Sequence, residues 1–176
     1  HEVQPTVMPK WFINMMTRWF KDDLGTDISK YPNSCNLNLY EDGKQSVQWH
    51  SDDEKLFGDQ TQDKQIISVS LGGSRKFQIG LSTERKGTKH EARYKTALKP
   101  VQNTIQELVL DHADVMTMEG LCQNHYFHRV PKENNVCEPR INLTFRDIKN
   151  HCDDCPCSQK RRGERVPRQA NATGWE

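Results

Sequence analysis

The stretch VQWHSDDE, residues 47–54, places one histidine and a run of acidic and hydroxyl side chains directly after a tryptophan. His50 and Asp52 are two positions apart, so on an extended segment they project from the same side. An imidazole and a carboxylate placed in this way can bind one metal ion together. A metal site also needs a third ligand from elsewhere in the chain.

The candidates for that third ligand are the histidines downstream, which are His90, His112, His125, His128 and His151. His90 lies in a linker rich in Lys and Arg, and His112 lies in a predicted turn, DHAD. His125 and His128 fall in the predicted strand NHYFHRV. Alternation places these two on opposite faces of a strand, so only one of them can point at a given site.

The segment PRINLTFRD predicts a strand with one polar and one apolar face. Its polar face consists of Arg140, Asn142, Thr144 and Arg146. Two guanidinium groups on one face favour an anion, and a small dicarboxylic acid would satisfy both through charge-assisted hydrogen bonds. The matching face of NLNLY consists of Asn36, Asn38 and Tyr40. A solvent-facing edge strand with solvated arginines is the alternative interpretation.

The elements that must position these side chains are one helix and many short strands. The segment PKWFINMMTRWFKDDLG predicts an amphipathic helix that ends at Gly25, with a Met and aromatic stripe in the core. The stripe contains Trp11, Met15 and Trp19, with Phe12, Met16 and Phe20 alongside. Strands follow in NLNLY, IISVSLGG, RKFQI, ELVLDHADVMTM, NHYFHRV and RINLTFRDI. These elements predict a mostly-β (α+β) fold, a sandwich or jelly roll.

Composition sets broad limits on the class of protein. The 176 residues, 34% of them hydrophobic, suffice for one globular domain, and the net charge of +1 neither indicates nor excludes a nucleic-acid partner. No apolar run approaches the ~18 residues of a membrane span. The first ten residues lack a signal-peptide pattern and an initiator Met, which predicts a fragment or a processed product. The six cysteines do not form a spaced disulfide framework, which predicts a reducing compartment, the nucleus or cytoplasm.

Four motifs together resemble the AlkB family of iron(II)- and 2-oxoglutarate-dependent dioxygenases. They are His50-x-Asp52, a distal His128, Asn38-x-Tyr40 and Arg140-x-Asn142-x-Thr144-x-Arg146. Their order and spacing match the family, and the resemblance runs from about Pro5 to Ile148. The segments SVQWHSDDE, HRVPKE and PRINLTFR are most similar in sequence to the AlkB homologues of animals that prefer single-stranded nucleic acid.

The resemblance implies a double-stranded β-helix in which His50, Asp52 and His128 bind Fe(II), with open positions for 2-oxoglutarate and O2. It also implies that Arg140, with Tyr40, binds the distal carboxylate of 2-oxoglutarate. The residues implied near the metal-bound end of the co-substrate, or supporting it, are Asn38, Asn142 and Arg146.

The implied activity is oxidative demethylation of 1-methyladenine or 3-methylcytosine in single-stranded DNA or RNA. Methylation makes these bases cationic, so the carboxylates of Asp53 and Glu54 suit them, although a solvated turn explains the same residues. A non-catalytic interaction module on the same fold, or a protein hydroxylase, is the alternative function.

The predicted dioxygenase domain spans residues 1–148, and a Cys-rich, basic tail spans residues 149–176. Four tail residues have spacings that suit zinc, and these are His151, Cys152, Cys155 and Cys157. Arg168 belongs to a basic run that would track phosphates or form part of a flexible end. The segment VPRQANATGWE loosely resembles the family's nucleotide-recognition lid, which we do not expect ahead of the helix in this sequence; a flexible end is the alternative interpretation.

Overall fold

The computed structural model of the chain describes residues 6–25, 31–58, 63–82, 99–134 and 138–151. The chain divides into two compact units, of which Pro32–Ile148 is the larger. This larger unit contains the residues predicted to bind iron and 2-oxoglutarate. Among the described residues, no helix is long and apolar enough to cross a membrane.

In the smaller unit, helix α1 spans Lys10–Arg18 and continues into a π-helical turn, Trp19–Asp23. Its buried side chains, Phe12, Met16 and Phe20, follow one another at intervals of four residues. The predicted helix is confirmed, but Trp11 is 67% exposed and does not belong to the buried row. Two neighbouring rows of this helix are apolar, so helical spacing alone could not identify the buried one.

The larger unit folds into two four-stranded antiparallel sheets. The first contains, in spatial order, β1 (Ser34–Tyr40), β8 (Arg140–Arg146), β3 (Ile66–Gly72) and β6 (Val115–Met118). The second contains, in spatial order, β2 (Val47–His50), β7 (Tyr126–Val130), β4 (Arg75–Leu81) and β5 (Gln106–Leu110). Short helical turns occur at Lys55–Phe57, Gln102–Thr104 and α2, Cys122–His125. This topology is a double-stranded β-helix, which confirms the predicted jelly roll.

Both sheets contribute to one hydrophobic cluster, which consists of Tyr40, Ile66, Phe77, Leu110, Met118 and Val130. The same sheets also bury polar side chains. In the first sheet these include Ser68, Ser70, Arg140, Asn142 and Thr144. A cluster of buried polar groups inside an otherwise apolar sandwich requires hydrogen-bond partners or a ligand, since a buried polar group without either is costly.

Strand β8 lies between β1 and β3, with a hydrogen-bonded neighbour on each side. Arg140 is opposite Tyr40 on β1 and opposite Gly72 on β3. Gly72 has φ +95°, and a Cβ there would collide with the carbonyl oxygen of Pro139, so only glycine lets the β3–β4 turn approach the start of β8. Since β8 is not at an edge, the alternative of solvated edge arginines is wrong.

Strand β2 carries a β-bulge where it pairs with β7. Val47 is opposite Val130, and His50 is opposite His128, so three steps on β2 match two steps on β7. The extra residue changes the alternation of β2. Val47 packs against the hydrophobic cluster, and His50 nevertheless points to the same inner face.

Candidate metal and co-substrate site

Three side chains from two segments of the chain meet at one point inside the sandwich. His50 ends β2, Asp52 follows two residues later, and His128 lies on β7; one ligand atom from each lies within 4.8 Å of the others. Nε2 of His50 is 3.8 Å from Oδ1 of Asp52, and Nε2 of His128 is 3.9 Å from Oδ2. In the described ranges this is the one group of three such ligands. Two imidazoles and one carboxylate suit Fe(II) with open coordination positions.

Both imidazoles present a nitrogen that is able to bind metal. Nδ1 of His50 is 2.8 Å from the Gln48 carbonyl oxygen and donates its proton to it, which leaves a lone pair on Nε2. His128 is buried and stacks on Phe77 at 5.5 Å between ring centroids. Burial, followed by the neighbouring His50, lowers the pKa of His128 to about 3. This imidazole is therefore neutral near pH 7, the form that binds metal.

Asp52 is 3% exposed and is held at both its backbone and its side chain. Nη2 of Arg146 lies 2.9 Å from Oδ1 of Asp52. The Asp52 backbone N–H donates to Oε1 of Gln123 at 2.8 Å. The guanidinium compensates the buried carboxylate, whose burial without a partner would be costly.

Arg140 lies about one strand length from Arg146 on β8 and is 1% exposed. Its Nη2 donates to Oγ of Ser70 at 2.7 Å and to Oδ1 of Asn142 at 2.8 Å. Its Nε and Nη1 are buried without a hydrogen-bond partner. A buried guanidinium with two unsatisfied nitrogens has the donors that a carboxylate would accept, so the distal end of 2-oxoglutarate fits here.

A line of side-chain hydrogen bonds extends from Arg140 along the inner face of β8. Oγ of Ser68 donates to Oδ1 of Asn142 at 2.9 Å, and Nδ2 of Asn142 donates to Oγ1 of Thr144 at 2.8 Å. Asn38 is half-buried and is opposite Asn142 in the ladder. The structure thus brings together the five residues predicted for the co-substrate: Asn38, Tyr40, Arg140, Asn142 and Arg146.

Arg75 is a buried residue of this region that the sequence interpretation missed. It is 1% exposed, and its Nε is 3.1 Å from Oε1 of Glu133. Its remaining nitrogens donate to the carbonyl oxygens of Asp42, Gln45 and Pro131. The ring of Tyr40 lies 5.2 Å from the guanidinium carbon of Arg75 and 5.5 Å from that of Arg140. The signal was present in RKFQI, where alternation places Arg75 on the face of buried Phe77.

The acidic residues after Asp52 belong to a segment without regular secondary structure. Asp53 is buried, and Glu54 is exposed. Partial withdrawal of the Glu54 carboxyl from water raises its pKa, and the nearby Asp52 and Asp53 act in the same direction. Glu54 is thus adjacent in sequence to the metal group and is exposed as a residue, with its carboxyl group only partly withdrawn from water.

His125 lies apart from the metal group. It is the last residue of α2 and is exposed, and its carbonyl oxygen accepts from the Ser82 backbone N–H at 2.7 Å. The predicted strand NHYFHRV was therefore wrong in its first two residues, because residues 124 and 125 complete a helical turn before β7 begins.

Most of the predicted tail site lies outside the described residues. Those not described are Cys152, Cys155, Cys157 and Arg168. His151 is described and is half-buried. The zinc site, the phosphate contact and the displaced lid therefore stay predictions.

Comparison of the sequence with known proteins identifies its family. The family model of the 2OG-Fe(II) oxygenase superfamily matches residues 2–146. Human alpha-ketoglutarate-dependent dioxygenase alkB homolog 3 is 36% identical over 140 residues, which cover 80% of this chain and 44% of that protein. The DNA oxidative demethylase ALKBH2 of Arabidopsis thaliana is 33% identical over 119 residues, covering 65% of this chain and 37% of that protein. The chain thus spans less than half the length of these relatives.

The fold also has a counterpart among solved structures. The structure of OsALKBH1 matches with a TM-score of 0.52 at 18% identity, covering 81% of this chain and 66% of that chain. At this identity the likeness concerns the fold alone, and it agrees with the double-stranded β-helix described above.

Proposed function

The chain belongs to the 2OG-Fe(II) oxygenase superfamily and, within it, to the AlkB family, and on that premise we propose that it oxidatively demethylates N-methylated bases in DNA or RNA. One observation carries the proposal. The ligand group of His50, Asp52 and His128 occurs in the same sandwich as a buried Arg140 with two unsatisfied nitrogens. The names of the relatives, a dioxygenase and a DNA oxidative demethylase, support the same reaction class.

The residues have distinct parts in this reaction. Fe(II), 2-oxoglutarate and O2, when bound, supply an oxidation that couples decarboxylation to succinate and CO2 with hydroxylation of an N-methyl group, which leaves as formaldehyde. His50, Asp52 and His128 would hold the metal, and Arg140 would hold the distal carboxylate of the co-substrate. Arg146 keeps the Asp52 carboxylate in one orientation through the contact of 2.9 Å.

Burial is the second contribution of the protein. Asp52, His128 and Arg140 are each almost inaccessible to solvent. Charge-assisted hydrogen bonds are stronger in such surroundings than in water, so the arginine can bind a dicarboxylate tightly. No side chain in this scheme acts as a nucleophile, and the protein orients the co-substrate and the methyl group.

We propose 1-methyladenine and 3-methylcytosine as the substrate bases, and single strands as the preferred form. Both bases are cationic, and the exposed carboxylate of Glu54, two residues after Asp52, has the complementary charge. A base must leave its stack to reach a buried site, which costs less from a single strand than from a duplex.

A direct assay tests the activity. Oligonucleotides that contain 1-methyladenine or 3-methylcytosine are incubated with the protein, Fe(II), ascorbate and 2-oxoglutarate, and mass spectrometry follows the loss of the methyl group. We expect demethylation and formaldehyde release by the wild type and by His125→Ala, whose altered side chain lies outside the metal group. Asp52→Ala should be inactive.

Two other outcomes would favour the alternatives. Succinate formation without demethylation of any oligonucleotide would favour a protein hydroxylase. The absence of both metal binding and 2-oxoglutarate turnover would favour an interaction module on the same fold.

We also propose a reducing location, the nucleus or cytoplasm. Cys35 and Cys122 are half-buried free thiols, as a reducing compartment would leave them. Fractionation of cells that express the tagged full-length protein tests this.

A further inference from the structure

The backbone at Asp52 needs a hydrogen-bond acceptor that the sheet does not provide. Strand β2 ends at His50, and residues 51–54 have no regular secondary structure. A buried N–H without a partner is costly, so such groups are almost always paired. The side chain of Gln123 supplies the acceptor, with its Oε1 at 2.8 Å from the Asp52 nitrogen.

Both polar atoms of the Gln123 side-chain amide, Oε1 and Nε2, have a contact. Its side chain is 2% exposed and belongs to α2, the helical turn that leads directly into β7 and His128. Its Nε2 lies 3.4 Å from Sδ of Met118, at the end of β6. Because an N–H can donate only to the amide oxygen, the contact with Asp52 also fixes which way the amide points.

We propose that Gln123 is a positioning residue for the metal ligand Asp52, a role that rests on the metal site proposed above. Arg146 restrains the carboxylate, and Gln123 restrains the backbone that carries it. Because α2 continues into β7, the same amide connects the segment of Asp52 to the strand of His128. It thereby maintains the separation of 3.9 Å between these two ligands.

The proposal predicts a loss of metal affinity when the acceptor oxygen is removed. Mn(II) serves as the probe, and its free concentration is followed by electron paramagnetic resonance during titration of the metal-free protein. Groups that orient a ligand typically change metal affinity by about tenfold or more, so Gln123→Leu should raise the Mn(II) Kd by at least that factor. Gln123→Glu retains an acceptor oxygen and should recover most of the affinity.

A spectroscopic readout separates positioning from charge and from general stability. The visible spectrum of the Co(II) protein reports the geometry of the ligands, and we expect it to change in Gln123→Leu and to return in Gln123→Glu. Val69→Ala is the matched control, because Val69 is buried on the opposite face of β3 from Ser68 and Ser70. It should lower the melting temperature without altering the spectrum or the Mn(II) Kd.

The outcomes distinguish this inference from the function on which it rests. If the wild type itself does not bind Mn(II), the metal site and the proposed function fail together. If the wild type binds but Gln123→Leu binds equally well with an unchanged Co(II) spectrum, the positioning role alone is overturned, as it is if Leu and Glu weaken binding equally. Should the Leu variant not fold, Gln123→Asn shortens the side chain by one methylene, and wild-type affinity in that variant also overturns the role.

Discussion

The two ends of the candidate site are held by different means. Arg140 belongs to a central strand, and its side-chain partners lie two residues away or on the adjacent strand. Asp52 belongs to an irregular segment, and its backbone is held by a side chain 71 residues further along the chain. The co-substrate end therefore depends on regular strand pairing, whereas the metal end depends on individual side chains. Substitutions at the co-substrate end should therefore weaken ligand binding without moving the backbone. Substitutions at the metal end should move the backbone itself.

The largest expected effect concerns Arg140, whose side chain is not needed for the β8 ladder. Arg140→Ala should leave the fold intact and weaken 2-oxoglutarate binding by about 3–5 kcal/mol, because a buried dicarboxylate would lose its guanidinium partner. Calorimetric titration of the Mn(II) protein with 2-oxoglutarate measures this. Arg140→Lys keeps the charge but not the fork of donors, so its affinity should be intermediate. Unchanged affinity in a folded Ala variant would exclude the clamp.

A substitution of Arg75 tests how far the co-substrate end depends on the buried guanidinium of this residue. Arg75→Met would leave Glu133 without its cation and three carbonyl oxygens without their donor, so the free energy of unfolding should fall by about 3 kcal/mol. Urea denaturation provides the measurement. The double variant Arg75→Met, Glu133→Gln should regain part of the loss. If it were as unstable as the single variant, the uncompensated carboxylate would not be the cause.

The metal end should lose stability in acid through His128. The pKa of this group is about 3 in the folded chain and 6.5 ordinarily, so the unfolded chain takes up the proton first as the pH falls. The contribution of His128 to the free energy of unfolding is complete above about pH 6.5 and is lost progressively toward pH 3. From about pH 7 to pH 5 the metal-free protein should lose about 2 kcal/mol, measured by urea denaturation. His128→Gln lacks the titrating group, so a pH profile parallel to that of the wild type would contradict the assignment.

Glu54 should have the smallest effect, since it is exposed. Glu54→Gln removes the charge and keeps the shape, and it should lower kcat/KM for 1-methyladenine by about fivefold, as expected for a solvent-accessible ion pair worth about 1 kcal/mol. A neutral methylated base, N6-methyladenine, is the matched substrate and should be less affected. Equal losses on both bases would mean that Glu54 is part of a solvated turn.

Alternation of side chains along each strand was sufficient to predict which faces of β1 and β8 meet at the co-substrate end. The faces of NLNLY and PRINLTFRD do meet, with Tyr40 opposite Arg140 and Asn38 opposite Asn142. The AlkB resemblance is confirmed by the family match over residues 2–146. Alternation succeeds here because a strand fixes which side chains share a face, independently of the rest of the fold.

The contacts of the metal end could not be predicted in the same way. Helix α2 is a single turn of four residues, too short to show a helical period. The contact of Gln123 with Asp52 depends on where two distant segments meet in the folded chain. Arg75 was within reach of the alternation argument, but its carbonyl partners come from two separate loops. The sequence therefore indicated which of the predicted site residues lie together, and much less clearly which residues support them.

The bulge in β2 has a consequence for the genetics of this site. Gln48 and Trp49 lie where β7 offers the single residue Arg129, and this surplus turns His50 toward the inner face along with Val47. Loss of one codon from this short run would restore plain alternation and leave the imidazole on the inner face, opposite His128, with both histidines still encoded. An in-frame deletion of the single triplet for Gln48 or Trp49 should thus preserve the inward direction of both histidines, because the bulge already holds one residue more than the pairing needs.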